Sequence, residues 1–401
     1  MEVLPFIHAK MSAMPNIGKC QLKFMCEVLI ISLRLRGRVN FLNLARYGNY
    51  SEQYYRQNFR KDFDFKQFNR SLIEELTGSD RIWIFDPTYI AKSGKHTPGV
   101  GYFWSGCANA VKWGLELGGL AIGDLENNTA LHYHATQTGS EKKDEDSLLE
   151  YYAKMLANQA SSMQELSKIV CVDAFFSKTT FVEPLVLADF MVVSRLAHNA
   201  FLRYLYTGEK RKGGGRPKQF DGKIDPHNVS TEHFTLDKST ETTRIYSGRA
   251  HVRALKRWVK LVIEQILNED GTVKKALLYF STDLEMDSAT IQENYHMRYK
   301  IEFIYRDTKG HLGLEHCQSR DQDALNFHHN MALTTLNIAK AVHWYSIPKE
   351  QRPPFSIADI KTKYINQHIL DSIISIYGKD PKVEINNPEI RKLYELGSIA
   401  A

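Results

Sequence analysis

The segment YHMRYKIEFIYRDTKGHLGLEHC, residues 295–317, decides how the rest of the chain is read. An α-helix advances about 100° per residue, so with Tyr295 at zero Arg298 falls at about −60°, Glu302 at about −20° and Lys309 at about −40°. Four polar side chains therefore share one narrow stripe. Met297, Ile301, Ile304 and Leu312 fall on the other side, between about 180° and 260°. One flank is built for burial and the other meets something polar. A solvated face laced by i,i+4 pairs such as Arg298–Glu302 is the ordinary explanation. The alternative needs partners for Glu302 elsewhere in the chain.

Two candidates precede it. RIWIFDPTYI (81–90) reads as a short strand ending at Asp86, and KIVCVDAFFS (168–177) as a buried strand stopping at Asp173. Each aspartate terminates an apolar run, where an ionised carboxylate is costly unless paired or metal-bound. On parallel neighbouring strands the two would meet at one edge of the sheet. Like charges that close repel, and a divalent cation relieves them. Oxygen-only ligands, with no cysteine and no essential histidine, favour Mg²⁺ or Mn²⁺ over zinc. A helix packed across the sheet would bring Glu302 as third ligand. Such a site suits phosphodiester cleavage, in which two ions roughly 3.5–4 Å apart activate the attacking water or hydroxyl and steady the departing oxygen. Arg298 and Lys309 lie on the correct face to hold phosphates. Strand-end aspartates are individually common as caps, so the selectivity lies in the combination. Asp124, in AIGD, also ends a strand-like run but ranks below Asp86 on the first strand. Asp189 starts a strand and reads as structural.

The order of elements agrees. SGKHTPGVGYFWSG (93–106) is rich in glycine and turn signals. WGLELGGLAIGD (113–124) and TALHYHATQT (129–138) then read as strands of an antiparallel meander. SLLEYYAKMLANQASSMQELS (147–167) is an amphipathic helix, KTTFVEPLVLAD (178–189) a helix, and DFMVVSRL (189–196) a strand. Three strands, helix, strand, helix, strand is the ribonuclease H-like succession, lacking its last helix. Between 206 and 284 intervene the basic, glycine-rich YTGEKRKGGGRPKQFDGK and four strand-like stretches reading as a small sheet, with the loop signal NEDGT between the last two. The fold class expected is thus α/β: a ribonuclease H-like mixed sheet flanked by helices, with a β-rich insertion and a helical N-terminal domain. The expected organisation is a helical, possible DNA-binding domain at 1–78, the first part of the core at 79–205, the insertion at 206–284, the catalytic helix and end of the core at 285–345, and a helical C-terminal region at 346–401. Within 1–78, VNFLNLARYG, NYS and EQYYRQNFRKDF resemble helix, turn, helix, with Ser51 as N-cap and Arg56, Arg60 and Lys61 adding positive charge. A DNA-reading pair and a small bundle with a basic surface both fit.

Bulk properties set wide bounds. The chain has 401 residues, 43% hydrophobic and 24% charged, an ordinary globular balance. Its 52 Lys and Arg against 46 Asp and Glu give +6, which permits a nucleic-acid partner without demanding one. Five scattered cysteines without a CxxC pair argue against a zinc cluster or disulfide framework and fit a reducing cytoplasm. No secretory signal is visible, and FMCEVLIISL (24–33), short and interrupted by Glu27, reads as a core helix rather than a membrane span.

The spacing Tyr295, two residues, Arg298, three residues, Glu302, six residues, Lys309 resembles the Y-(2)-R-(3)-E-(6)-K signature of the IS4-type DDE transposases. STD (281–283) ahead of it and Lys309 followed by Leu312, Gly313 and Leu314 are similar to the family's flanking text. Tyr299 stands where many members carry tryptophan. The resemblance spans about residues 80–340. It implies that Asp86, Asp173 and Glu302 hold two Mg²⁺ (or Mn²⁺) ions, and that Tyr295, Arg298 and Lys309 contact phosphates. It further implies nicking at transposon ends to release a 3′-hydroxyl, then strand transfer into target DNA. The partners implied are double-stranded DNA, as terminal inverted repeats and target, and a second copy in a synaptic homodimer, without a membrane. The place implied is the bacterial cytoplasm and nucleoid. A ribonuclease H-fold nuclease without strand transfer and a domesticated, non-catalytic DNA-binding protein are the alternatives. Elsewhere, His132 and His134 alternate on a strand and read as surface histidines, with metal ligation as the sharper option. His328 and His329 read as packing or surface. KRKGGGRPK (210–218) resembles a minor-groove hook, with a solvated basic linker as the plainer reading, and Arg244, Arg249, Arg253, Lys256 and Arg257 suit phosphate contacts.

Overall fold

A computed structural model describes residues 3–139, 147–208, 217–384 and 386–398. Twelve strands form one mixed sheet: β1 (Arg81–Ala91), β2 (Gly101–Ser105), β3 (Ala110–Asp124), β4 (Thr129–Gln137), β5 (Ile169–Cys171), β6 (Met191–Leu196), β7 (Leu202–Leu205), β8 (Phe220–Lys223), β9 (Thr235–Ser239), β10 (Thr243–Val252), β11 (Arg257–Leu267) and β12 (Val273–Ser281). From β3 the order runs β3-β1-β5-β6-β12-β11-β10-β7-β8, with β4 and β2 also on β3 and β9 on β10. β1 is antiparallel to β3 and parallel to β5, and β5 is parallel to β6. The architecture is therefore mixed α/β, with a large mixed sheet and helices.

The run IWIF dictates β1. Alternation sends Ile82 and Ile84 to one face and Trp83 and Phe85 to the other, and all four are fully buried. Ile82 and Ile84 join a cluster containing Ile301, Ile304 and Tyr305. Trp83 and Phe85 join another with Tyr152, Phe176 and Phe181. The sheet is thus sandwiched near its parallel part. On one side lie α6 (Leu148–Ala157), started by a Ser147–Glu150 capping box, and α8 (Thr179–Leu187), with the short α7 (Ala160–Gln164) between them. The helix expected over 147–167 breaks at Asn158–Gln159.

The N-terminal helices are α1 (Val3–Ser12), α2 (Lys19–Arg34), α3 (Phe41–Tyr47), α4 (Glu52–Asn58) and α5 (Phe65–Leu76). Ser51 does cap α4, accepting from Tyr54 N at 3.3 Å. These helices do not close a core of their own. Phe327, on the long helix Gln322–Lys340 near the chain's end, packs within 6.1 Å of Phe24, 4.5 Å of Phe59 and 5.3 Å of Phe65. The charges expected to face DNA are engaged: Arg56 with Glu52, Arg60 with Asp321, Lys61 with Asn58.

Three further expectations are revised. Residues 206–284 do not form a separate small sheet, because β12 pairs antiparallel with β6 and extends the main sheet. The glycine-rich 93–106 contains a strand, β2, paired with β3. His132 is buried, not on the surface: Nε2 lies 3.2 Å from Asn330 Oδ1, and burial pulls its pKa down to about 3. His134 is likewise held well below the ordinary value by burial. His328 and His329 are buried packing residues. The hook-like stretch at 210–218 lies outside the described residues up to Arg216. Among the described residues no helix is long and apolar enough to cross a membrane.

Candidate active site

β1 does not stop at Asp86. Its antiparallel register with β3 continues to Ala91↔Gly114, while its parallel register with β5 ends at Ile84↔Cys171. Asp86 is thus mid-strand, two residues beyond the last residue paired with β5. Asp173 stands two residues beyond Cys171, the partner of Ile84, so the two aspartates are level across the β1–β5 pair. Here the carboxylate of Asp173 accepts from Phe175 N at 2.9 Å, capping a single 3₁₀ turn (Ala174–Phe176). Ser194 Oγ donates to the Asp173 carbonyl at 2.9 Å.

The motif helix is two helices. α9 (Ser288–Met297) ends and α10 (Lys300–His311) begins across Arg298 and Tyr299, where bonds from Arg298 N to Tyr295 O and from Glu302 N to Tyr299 O tighten the turn to i→i−3. The backbone stays right-handed, so the predicted stripe survives in part. Arg298 is buried and donates through Nη1 to Asp86 Oδ2 at 3.3 Å and through Nη2 to Glu302 Oε1 at 3.0 Å. Its guanidinium lies 4.4 Å from the Tyr299 ring centre and 5.7 Å from that of Tyr295. Tyr295 is buried against Tyr279, with ring centres 5.2 Å apart. Lys309 sits further along α10, its Nζ donating to Tyr89 O at 2.6 Å and lying 3.4 Å from Glu315. Asp86, Arg298 and Glu302 are therefore in direct contact, Asp173 is within electrostatic reach, Tyr295 supports the guanidinium, and Lys309 clasps β1 instead of the carboxylates.

The electrostatics follow from burial. Burial pushes the Asp86 carboxyl up to about 7; Arg298 opposes this, while Asp173, Glu302 and Glu116 add to it. Asp173 is also raised, first by burial, against the pull of Arg298, two backbone amides and Arg195. Asp86, Asp173 and Glu302 thus outnumber the central guanidinium, whose Nε is buried with no hydrogen-bond partner among the described residues. Among those residues no three His, Cys, Asp or Glu side chains stand at metal-holding distance. Arg298 lies between Asp86 and Glu302, bonded to both.

Some participants escaped the sequence reading. Gly119 faces Asp86 across the β1–β3 ladder, and a Cβ there would collide with the Tyr305 hydroxyl, which donates to the Asp86 carbonyl at 2.5 Å. The Gly118–Gly119 pair inside an apolar strand was the available signal of a close approach. Arg195 on β6 opposes Tyr279 and offers a second positive charge to Asp173. Glu116 is buried on the other face of the sheet, bonded by Tyr152 at 2.5 Å and Thr138 at 3.2 Å. Asp124 is structural, bonded by Asn127 and, at 2.6 Å, by Tyr345.

No family model and no curated protein matches the chain. Among solved structures, it is similar to the piggyBac transposase synaptic complex with hairpin DNA, at a TM-score of 0.42 and 12% identity, covering 97% of this chain and 80% of that one.

Proposed function

We propose that the chain is a DDE transposase of the IS4 type, cutting DNA at transposon ends and joining the freed 3′-hydroxyl to target DNA. The observation that carries this reading is the buried Arg298 guanidinium bonded to both Asp86 and Glu302, with Asp173 level with Asp86 where the parallel β1–β5 pairing ends. The strand order β4-β3-β1-β5-β6, with its first three members antiparallel and the last two parallel to β1, supports a ribonuclease H-like core. The all-oxygen donors and their excess negative charge fit Mg²⁺ or Mn²⁺. Asp86, Asp173 and Glu302 would hold such ions, which supply Lewis-acid chemistry and a nucleophile at neutral pH. The chain's own part is to hold the acids in place: Arg298 bonds Asp86 and Glu302, Tyr295 and Tyr299 shelve Arg298, and Tyr305 pins the Asp86 backbone. Arg298 would also be the residue to meet a phosphate of the DNA, the role its place in the motif implies. A synaptic homodimer on double-stranded DNA is the expected working form.

The test uses duplexes carrying the inverted repeats that flank the gene, with Mg²⁺ or Mn²⁺. Joined products lost in Glu302→Gln support the reading. Cut products without joining favour a ribonuclease H-fold nuclease. A gel shift with no cutting, in wild type and variant alike, favours a non-catalytic DNA-binding protein and refutes the proposal.

A further inference from the structure

Beyond the carboxylates, β1 runs on toward a two-stranded ribbon formed by β2 and the first residues of β3. Its register is regular: Tyr102↔Trp113, Phe103↔Lys112, Trp104↔Val111. Directly opposed residues share a face and successive pairs alternate, so Tyr102, Trp104, Val111 and Trp113 line one face. That face is open to solvent, with exposures of 73%, 56%, 59% and 36% in the same order. An apolar stripe of this kind marks a contact surface.

Charge says what it contacts. Trp113 borders an open groove of about 890 Å³ whose lining includes Arg38, Lys92, His316 and Arg320. Lys92 Nζ is held by the carbonyls of Cys317 and Ser319, at 2.7 and 2.9 Å, which orient the ammonium without neutralising it. Among the described residues none of Arg38, Lys92 and Arg320 has a carboxylate partner, and the groove's Glu315 is within 3.4 Å of Lys309. Tyr89 ties the groove to α10: its Oη donates to Trp113 O at 2.6 Å, and its carbonyl accepts from Lys309. Trp113 lies six residues along β3 from Gly119, the residue facing Asp86, a span of roughly 20 Å at the rise of a strand. Exposed rings beside unneutralised cations match unpaired nucleic acid, whose bases stack on rings while its phosphates follow positive charge. A second copy docking by its own apolar face would leave those cations without counter-charge.

We propose that the β2–β3 ribbon is a stacking platform for unpaired DNA bases near the cleavage point, with Tyr102, Trp104 and Trp113 taking bases and Arg38, Lys92 and Arg320 taking phosphates. This rests on the DNA-cutting reading above. The experiment measures binding of the full chain without divalent metal, so that it is independent of cutting. The probes are a blunt duplex, the same duplex with a single-stranded 3′ overhang, and the duplex with an unpaired internal base. The wild type is expected to prefer the two probes with unpaired bases, and the stronger of them identifies the source. Trp104→Ala/Trp113→Ala is expected to lose that preference by about tenfold or more, and Trp104→Tyr/Trp113→Tyr to keep most of it. An unchanged preference in the alanine variant overturns the platform, as does an equal loss on all three probes. So does a DNA-free dimer that the alanine variant dissociates while its preference stays. If no Glu302-dependent cutting is found, a tryptophan-dependent preference still supports the platform; intact cutting with an unmoved preference refutes the platform alone.

Discussion

Replacing Asp86 with asparagine isolates the energetic cost of gathering the acids. The folded carboxyl titrates at about 7 against an ordinary 3.8, chiefly because it is buried. About three units at ~1.36 kcal/mol each is ~4 kcal/mol, an upper bound because the neighbouring Asp173 carboxyl, itself raised, is coupled to it. Asparagine keeps the shape and an oxygen for Arg298, now 3.3 Å from Oδ2. The variant should therefore recover about half, ~2 kcal/mol, once the wild-type acid is ionised. The sign follows from the folded value lying above the unfolded one. Between about pH 4 and pH 7 the folded state keeps a proton the unfolded state has released, so this group's contribution is full at low pH and lost as pH rises through that window. For 401 residues the unfolding entropy is about 0.8 kcal/mol per kelvin, which turns ~2 kcal/mol into about 2–3 °C. Thermal melting from about pH 4 to about pH 8 should show the two proteins together at the acid end and Asp86→Asn higher at the alkaline end. A variant that melts at or below wild type at about pH 8, or by a margin that does not change with pH, would show the Asp86–Arg298 pair to be net stabilising and the reasoning mistaken.

Two other outcomes probe the scaffold. Gly119→Ala places a methyl against the Tyr305 hydroxyl and should cost about 1–3 kcal/mol; adding Tyr305→Phe should recover part of that in a double-mutant cycle, whereas simple additivity would refute the contact. Lys340 is buried, donates to Thr129 Oγ1 at 3.1 Å and Ala130 O at 2.7 Å, and is held down to about 8 by burial. Its folded value lies below the unfolded 10.5, so the unfolded state holds the extra proton between the two, and wild-type stability should rise with pH across that window. Lys340→Met should flatten this rise in denaturant midpoints, and an equally steep rise in the variant would assign it to other groups.

Much of this protein was legible locally. Apolar runs gave β1, β5 and β6 because a strand buried on both faces needs no polar position. Ser51 announced the start of α4, since a cap is satisfied within three residues. Asp86 and Asp173 were nameable as candidates because each follows an apolar run, and Glu302 because helical spacing sets it on one stripe with Arg298 and Lys309. What tertiary structure decided depends on partners far away in sequence. Arg298 meets Asp86 across 212 positions, and the meeting puts a guanidinium amid the carboxylates. Asp86 proved to be mid-strand because β3, not β5, sets the length of β1. The strands of 206–284 joined the main sheet because β6 offered an edge that β12 could pair. Pattern and capping act over a turn or a pleat, so the chain alone reveals them; which edge is free and which charge is answered are settled only when distant segments pack.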